Sequence, residues 1–181
     1  MLLVPTLLGA VPTYTDFSSG DAAIRAGMAA YNTAKARGIT QSRYLIVVDF
    51  TKSIHEKRLY VIDMQNGRVV LSTYCAHGTN SGREYVRSVS NVPQSLQSSK
   101  GTFITSGTYT GHNGTSIKIR GLERGVNDNA LSRKVVIHGA SYSVNGRGGH
   151  SWGCFAVPPQ DMNQIIRLCG SGTILYAYYP H

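Results

Sequence analysis

Cys154 and His138 are the two side chains whose types and spacing bear most directly on covalent chemistry. An apolar, β-branched run, Val135-Val136-Ile137, delivers His138 at its end, with Gly139 next. A loop carrying Gly146, Gly148, Gly149 and Gly153 then returns the chain to Cys154, sixteen positions after the histidine. A thiol is a weak nucleophile until it is deprotonated, and an imidazole within reach takes that proton. The pairing predicts a thiol more reactive towards alkylation near neutral pH than an ordinary one of pKa about 8.5. Gly153 lets backbone approach a substrate closely, and neighbouring N–H groups are then placed to meet a developing oxyanion. Residue types alone leave a second reading beside this one: a core cysteine packed next to a strand-end histidine.

The remaining reactive residues carry weaker signals. His150 with His138 and Cys154 matches no common zinc spacing, so no metal site is expected. His77, before Gly78, reads equally as a cleft residue or a structural one, while His55, His112 and His181 read as surface residues. Tyr142, Arg83 and Arg147 lie in glycine-rich loops, where substrate contact and simple solvation are both natural. Cys75, Cys154 and Cys169 form no Cys-x-x-Cys pair, which excludes a dithiol redox site or zinc ribbon. Cys75 and Cys169 are able to pair, but two small buried core residues are expected.

The elements that must position this chemistry follow from periodicity. Ser18 and Ser19 are candidate N-caps for a helix to about Arg37, with Asp21 in its first turn and Gly38 as its stop. Ile24, Met28 and Tyr31 form its apolar stripe. The period then changes to that of strands, at Tyr44–Phe50, Arg58–Met64 and Arg68–Ala76, the last two joined by an Asn66-Gly67 turn in which both residues tolerate positive φ. Residues 78–100, rich in Gly, Ser and Asn, read as a long loop, which in a compact domain is usually functional or mobile. Shorter strands are expected at Gly101–Ser106, Ser116–Arg120 and Lys134–His138. Pro158-Pro159 opens a helix to Cys169, stopped by Gly170, and Thr173–Tyr179 closes the chain as a strand. No repeat or linker is evident, so 1–181 reads as one domain, with an arm and helix over 1–43 and a core over 44–180.

The bulk numbers agree with a globular chain: 181 residues, 41% hydrophobic and 15% charged. Eighteen Lys and Arg against nine Asp and Glu leave a net charge of +9, which favours a polyanionic partner such as an acidic wall polymer or anionic surface. The basic residues are scattered and no reading motif appears, so nucleic acid is not expected. Met1–Val11 is apolar but too short to span a membrane and lacks a basic n-region; it reads as an ordered arm or the remnant of a secretory signal.

The segment Ser151-Trp152-Gly153-Cys154, after Val136-Ile137-His138-Gly139, resembles the YkuD-type L,D-transpeptidase catalytic domain, whose hallmark is a His-Gly strand end followed by Ser-His-Gly-Cys. It is most similar to the divergent branch reading Ser-Trp-Gly-Cys. The likeness extends, in order, through Val48-Asp49-Phe50, Arg58-Leu59-Tyr60-Val61-Ile62-Asp63, Ala76-His77-Gly78, Ser90-Asn91, Ser98-Ser99, Gly121-Leu122-Glu123 and Asn127-Asp128-Asn129-Ala130, so it spans roughly 44–179.

The resemblance implies a mainly β, sandwich-like fold and a cell-envelope enzyme, periplasmic or secreted. Cys154 is then the nucleophile on the third residue of a peptidoglycan stem tetrapeptide, His138 the base and later the acid, and the Gly139 carbonyl the orienter of the imidazole. Ser151, Trp152, Gly153, His77 and Tyr142 are the implied substrate-binding or oxyanion residues. No cofactor is implied, and carbapenem-type inhibitors are expected ligands. An acceptor amine yields a cross-link; water makes the same acyl-enzyme a carboxypeptidase or endopeptidase. A non-catalytic wall-binding module is the rival of another class, although such a module needs neither His138 nor Cys154. Three positions depart from the family pattern: Trp152 replaces a histidine, Ala156 replaces arginine or asparagine, and Phe155 stands where proline is expected. An indole accepts no proton, so Trp152 is expected either to shape the pocket by packing or to anchor the core.

Overall fold

Apolar side chains crowd both faces of the segment from Tyr44 to Phe50, and it forms the strand around which the others assemble. A computed structural model describes residues 21–146 and 151–180. Met1–Val11, Ser18, Ser19, Arg147, His150 and His181 lie outside the described residues. The chain is mainly β, in the order α1 (Ala22–Ala36), β1 (Tyr44–Asp49), β2 (Leu59–Asp63), β3 (Arg68–Thr73), β4 (Gly101–Gly111), β5 (Gly114–Gly121), β6 (Val136–Gly139), β7 (Phe155–Val157), α2 (Pro159–Cys169) and β8 (Ser171–Tyr178).

All eight strands belong to one sheet, ordered β3-β2-β1-β8-β4-β5-β6-β7. Most neighbours are antiparallel; β1 runs parallel to β8, and β6 parallel to β7. Past the end of β3, Ala76 bridges to Ala156 in β7, so the two ends of the sheet approach each other. The sandwich-like packing is thus one sheet curled into a near-barrel. Its interior holds Ile46, Val48, Phe50, Phe103, Ile117, Ile137 and Phe155, closed off by Met162 and Ile165 from α2. Phe155 stacks on Phe50 at 5.9 Å and meets Phe103 edge-on at 5.7 Å, which locks the strand carrying Cys154 onto the core.

The other face of β1 is covered by α1. Ile24 and Tyr31 are buried there against Leu45 and Val47, with Met28 packed alongside. The N-cap is Asp21, whose carboxylate accepts from the Ile24 N–H at 3.2 Å, rather than either preceding serine. Gly38, at φ 70°, ends the helix in a Schellman pattern, with Ile39 N–H donating to the Ala34 carbonyl. The hairpin after β2 forms with a four-residue loop between Asp63 and Arg68, and only Gly67 takes positive φ. A two-residue turn is ruled out because the Asp63 carbonyl accepts from Gly67 and its carboxylate from Gln65, which draws 64–67 into one coil.

Candidate active site

Parallel pairing of β6 and β7 creates the site. Ile137 is registered with Phe155 and His138 with Ala156. Because side chains alternate, Ile137 and Phe155 enter the core while His138 shares the opposite face with Ala156. Cys154 stands immediately before β7, two residues ahead of Ala156, the register partner of His138. The Phe155–Val157 strand was not legible in the sequence, since three residues show no period.

His138 is buried, and its Nδ1 lies 3.1 Å from the Gly139 carbonyl oxygen. A carbonyl only accepts, so Nδ1 carries the proton and Nε2 keeps its lone pair. Burial, outweighing that hydrogen bond, lowers the His138 pKa below its ordinary value, so the ring is a neutral base at neutral pH. Burial also raises the Cys154 thiol, against an opposing N–H donation from Val136 and the charge of Arg133. The thiol donates to the Lys134 carbonyl at 3.7 Å. Both shifts favour a neutral thiol and a neutral imidazole at rest. The physical reason is desolvation of both groups in the seam of the sheet.

The residues around the pair divide into those on the face and those beneath it. Tyr142 stands on the face, its ring edge-on to His138 at 6.5 Å, and burial followed by the nearby thiols Cys154 and Cys75 pushes its phenol up to about 12. Trp152 is 76% exposed, which removes the core-anchor reading. An open cleft of about 450 Å³ lies beyond His138, between Gly139, Tyr142, Thr115 and Pro159. A smaller one of about 230 Å³ flanks Val136, floored by Tyr109, Leu131 and Val135 and rimmed by Lys118 and Lys134.

Three residues expected at the substrate are instead occupied within the protein. His77 is fully buried; its Nδ1 accepts from the Arg58 guanidinium at 2.7 Å and its Nε2 donates to the Gly82 carbonyl at 3.0 Å. It does not line a cleft. The Ser151 hydroxyl donates to the Cys154 carbonyl at 2.8 Å and accepts from the Gly153 N–H at 3.3 Å, so it shapes the turn into Cys154 rather than meeting a ligand. Gly153, at φ 113°, is indeed a place of close approach, but the approaching group is the Gln97 carbonyl, 2.6 Å from where a Cβ would sit. Its N–H is engaged by the Ser151 hydroxyl.

Residues 78–100, apart from a short 3-10 turn at Thr79–Ser81, are irregular but closely held. Ser98 accepts from the Gly78 N–H at 3.0 Å and donates to the Gly153 carbonyl at 3.2 Å. Asn91 accepts from the Asn129 N–H at 3.0 Å, and Asn127 donates to the carbonyls of Lys100 and Thr102. Arg133 and Arg58, two cations that sequence reasoning passed over, organise this wall. Arg58 is fully buried, donating to the carbonyls of Lys52 and Cys75 as well as to His77. Only the strand position of Arg58 was legible; its partners lie up to 19 residues away. Cys75, Cys154 and Cys169 are all free thiols, and burial pushes Cys75 and Cys169 up to about 12.

The fold and sequence have relatives among known proteins. Solved structures with a similar fold include the helical cell shape determining protein Pgp2 from Campylobacter jejuni (10% identity, 78% of this chain and 49% of that chain, TM-score 0.53). An L,D-transpeptidase from Mycobacterium smegmatis is 14% identical over 76% of this chain and 59% of that chain, with a TM-score of 0.49. An L,D-transpeptidase in complex with imipenem is also 14% identical, over 75% and 59%, with a TM-score of 0.46. The chain therefore spans about half to three fifths of the length of these structures. Among curated proteins, none matches the chain. Residues 18–178 match the family described as the L,D-transpeptidase catalytic domain. A match over nearly the whole chain decides its membership: the protein belongs to the L,D-transpeptidase catalytic domain family.

Proposed function

We propose that the protein is a cell-envelope acyltransferase that cross-links peptidoglycan stem peptides through a thioester on Cys154. The observation that carries this reading is the parallel pairing of β6 with β7, which registers His138 with Ala156, two residues after Cys154, together with the imidazole tautomer set by the Gly139 carbonyl. Family membership supplies the reaction class. Among the described residues no helix is long and apolar enough to cross a membrane.

The neutral resting pair sets the order of events. The thiol leaves the Lys134 carbonyl and passes its proton to Nε2 of His138 as sulfur bonds to the carbonyl of the third stem residue. Collapse of the tetrahedral intermediate expels the terminal D-alanine, whose amine takes the proton from His138. An acceptor amine then attacks the thioester, gives its proton to His138, and restores the thiol. The clefts at Gly139 and at Val136, on either side of His138 in sequence, are candidate room for donor and acceptor chains.

Mass spectrometry of the purified protein with tetrapeptide muropeptides tests this. Cross-linked dimers are expected; tripeptide alone makes water the acceptor and the protein a carboxypeptidase. A carbapenem, as a strained acyl donor, is expected to add once, with the adduct lost in Cys154→Ala and kept in Cys75→Ala and Cys169→Ala. An adduct that survives Cys154→Ala removes the nucleophile assignment.

A further inference from the structure

A neutral thiol that must become a thiolate during attack needs something to stabilise the charge, and His138 cannot do so until it has taken the proton. Arg133 lies in the turn before β6. One of its terminal nitrogens donates to the Ser90 carbonyl and the Ser99 hydroxyl, both at 2.7 Å; the other donates to the Gln97 carbonyl at 2.6 Å and the Ser95 hydroxyl at 3.2 Å. Every one of these acceptors is uncharged. Among the described residues Arg133 forms no ion pair with Asp or Glu. A half-buried guanidinium spent wholly on neutral oxygens keeps its full charge for the surroundings.

What adjoins that charge is the approach to Cys154. The nitrogen that holds Gln97 is 3.2 Å from where a Cβ on Gly153 would stand. The absence of a side chain at Gly153 is what lets guanidinium, Gln97 carbonyl and the nucleophile's own backbone come together. Arg133 thus does two things with one group: it ties residues 90–99 across Gly153, and it sets a positive charge beside Gly153, the residue before Cys154.

We propose that Arg133 is a positioning residue that stabilises the Cys154 thiolate electrostatically, a role that presupposes the acyl-transfer reading of Cys154. The proton still travels from sulfur to Nε2 of His138, and the S–C bond forms as before; Arg133 neither gives nor takes a proton. Its charge favours the negative charge that sulfur gains as the proton leaves for His138, and again when thiolate departs from the thioester. The mutual influence of Arg133 and Cys154 has the matching sign at both groups, lowering the thiol pKa and raising that of the guanidinium. The other groups around the thiol are His138 on β6, Tyr142 in the Ser141–Gly146 turn, and Lys134, which presents its carbonyl. Neither neutral His138 nor protonated Tyr142 supplies a cation, so Arg133 is the one charge within the described surroundings that favours thiolate.

The test is the pH dependence of Cys154 alkylation by iodoacetamide in the full chain, read by intact mass, beside thermal melting. Arg133→Met removes the charge with little change of volume and is expected to raise the apparent thiol pKa by about one unit. Arg133→Gln, which keeps an amide donor for the Gln97 carbonyl, provides the uncharged variant if the methionine variant does not fold, and the same upward shift is expected. Arg133→Lys is expected to keep the wild-type pKa while melting lower, since it holds the charge and loses the fork. An unchanged alkylation pKa in a folded uncharged variant, whatever its melting point, makes Arg133 a clamp only and overturns the proposal. Wild-type Cys154 that alkylates but yields neither dimer nor tripeptide from tetrapeptide muropeptides removes the acyl-transfer reading while the Arg133 shift is still measured, so the two failures are told apart.

Discussion

On one side of Cys154 the curled sheet stacks Ile46, Val48, Phe103 and Phe155 into an apolar core; on the other, residues 74–100 carry little regular structure and hang on side-chain hydrogen bonds from Arg58, Ser98, Asn127 and Arg133. The first region is held by area removed from water, which is non-directional and tolerant of small shifts. The second is held by bonds that demand geometry and leave costly unsatisfied groups when one partner is lost. Cys154, the proposed nucleophile, sits where the two meet, with Phe155 in the core on one side and Gly153 under the loop on the other. Folding thus draws mainly on the apolar region, and aim at the substrate on the polar one.

The largest expected effect breaks the apolar side. Phe103 is fully buried, and Phe103→Ala removes its edge contact with Phe155, so a loss of about 3–5 kcal/mol is expected in denaturant unfolding. That loss should be the same at pH 7 and pH 5, because no titrating group takes part. A penalty that changes with pH would tie the core to the polar wall and erase the distinction.

The polar side should instead depend on pH. Burial and the adjacent Arg58 lower His77 from 6.5 to about 4. The unfolded chain binds that proton between those values and the folded one does not. The stabilisation is therefore complete above pH 6.5, falls as pH drops, and is gone below about 4. It amounts to about 3 kcal/mol at most. The carboxylate of Asp63, held down by Arg43, titrates below its ordinary 3.8 and so acts in a lower window. His77→Gln keeps an acceptor for Arg58 and a donor for Gly82, and it is expected to reduce the slope of melting temperature between pH 4.5 and 6.5, leaving the part that buried His138, also lowered, contributes with the same sign. A variant whose melting follows the wild-type slope assigns the dependence elsewhere.

The same division explains what was legible in the sequence. Apolar, β-branched runs revealed β1, β2, β3 and β8, and a 3.6-residue stripe of Ile24, Met28 and Tyr31 revealed α1, since both are written directly in residue type. Cys154 and His138 stood out by chemistry. The wall did not, because Gln94, Leu96 and Lys134 take positive φ and none of these side chains announces it. Nor does an arginine in a turn reveal that four neutral oxygens from residues 90–99 will surround it. Nor do residue types reveal the partners of Ser151, Gly153 and His77, which only folding supplies.

A single bond at the seam sharpens the comparison further. Ser98 is fully buried and links the Gly78 N–H to the Gly153 carbonyl. Ser98→Ala leaves both groups short of a partner, and a loss of about 1–2 kcal/mol is expected. Carbapenem acylation of Cys154 should slow on the order of tenfold, more than the fraction unfolded explains, because small misplacements near a nucleophile are amplified in rate. Acylation at the wild-type rate would show that the wall does not aim the thiol.

The smallest effect on stability is expected at Trp152, which belongs to neither region. Its indole is 76% exposed, two residues before Cys154, and a side chain so placed gives up little packing when removed. Trp152→Ala should melt within about 0.5 kcal/mol of the wild type, as surface substitutions do. A large exposed aromatic beside a reacting group is, however, the sort of surface a ligand covers, and its rigid flat face gains area on contact at little entropic cost. Steady-state cross-linking should therefore show a KM raised several-fold with kcat nearly unchanged, and Trp152→Phe should retain most of the affinity, since the contact is with the ring and not with the N–H. A fall in kcat without a rise in KM would place the indole in the positioning of Cys154 instead, making it part of the polar wall. A drop in melting temperature would mean that its exposed face conceals a structural contact.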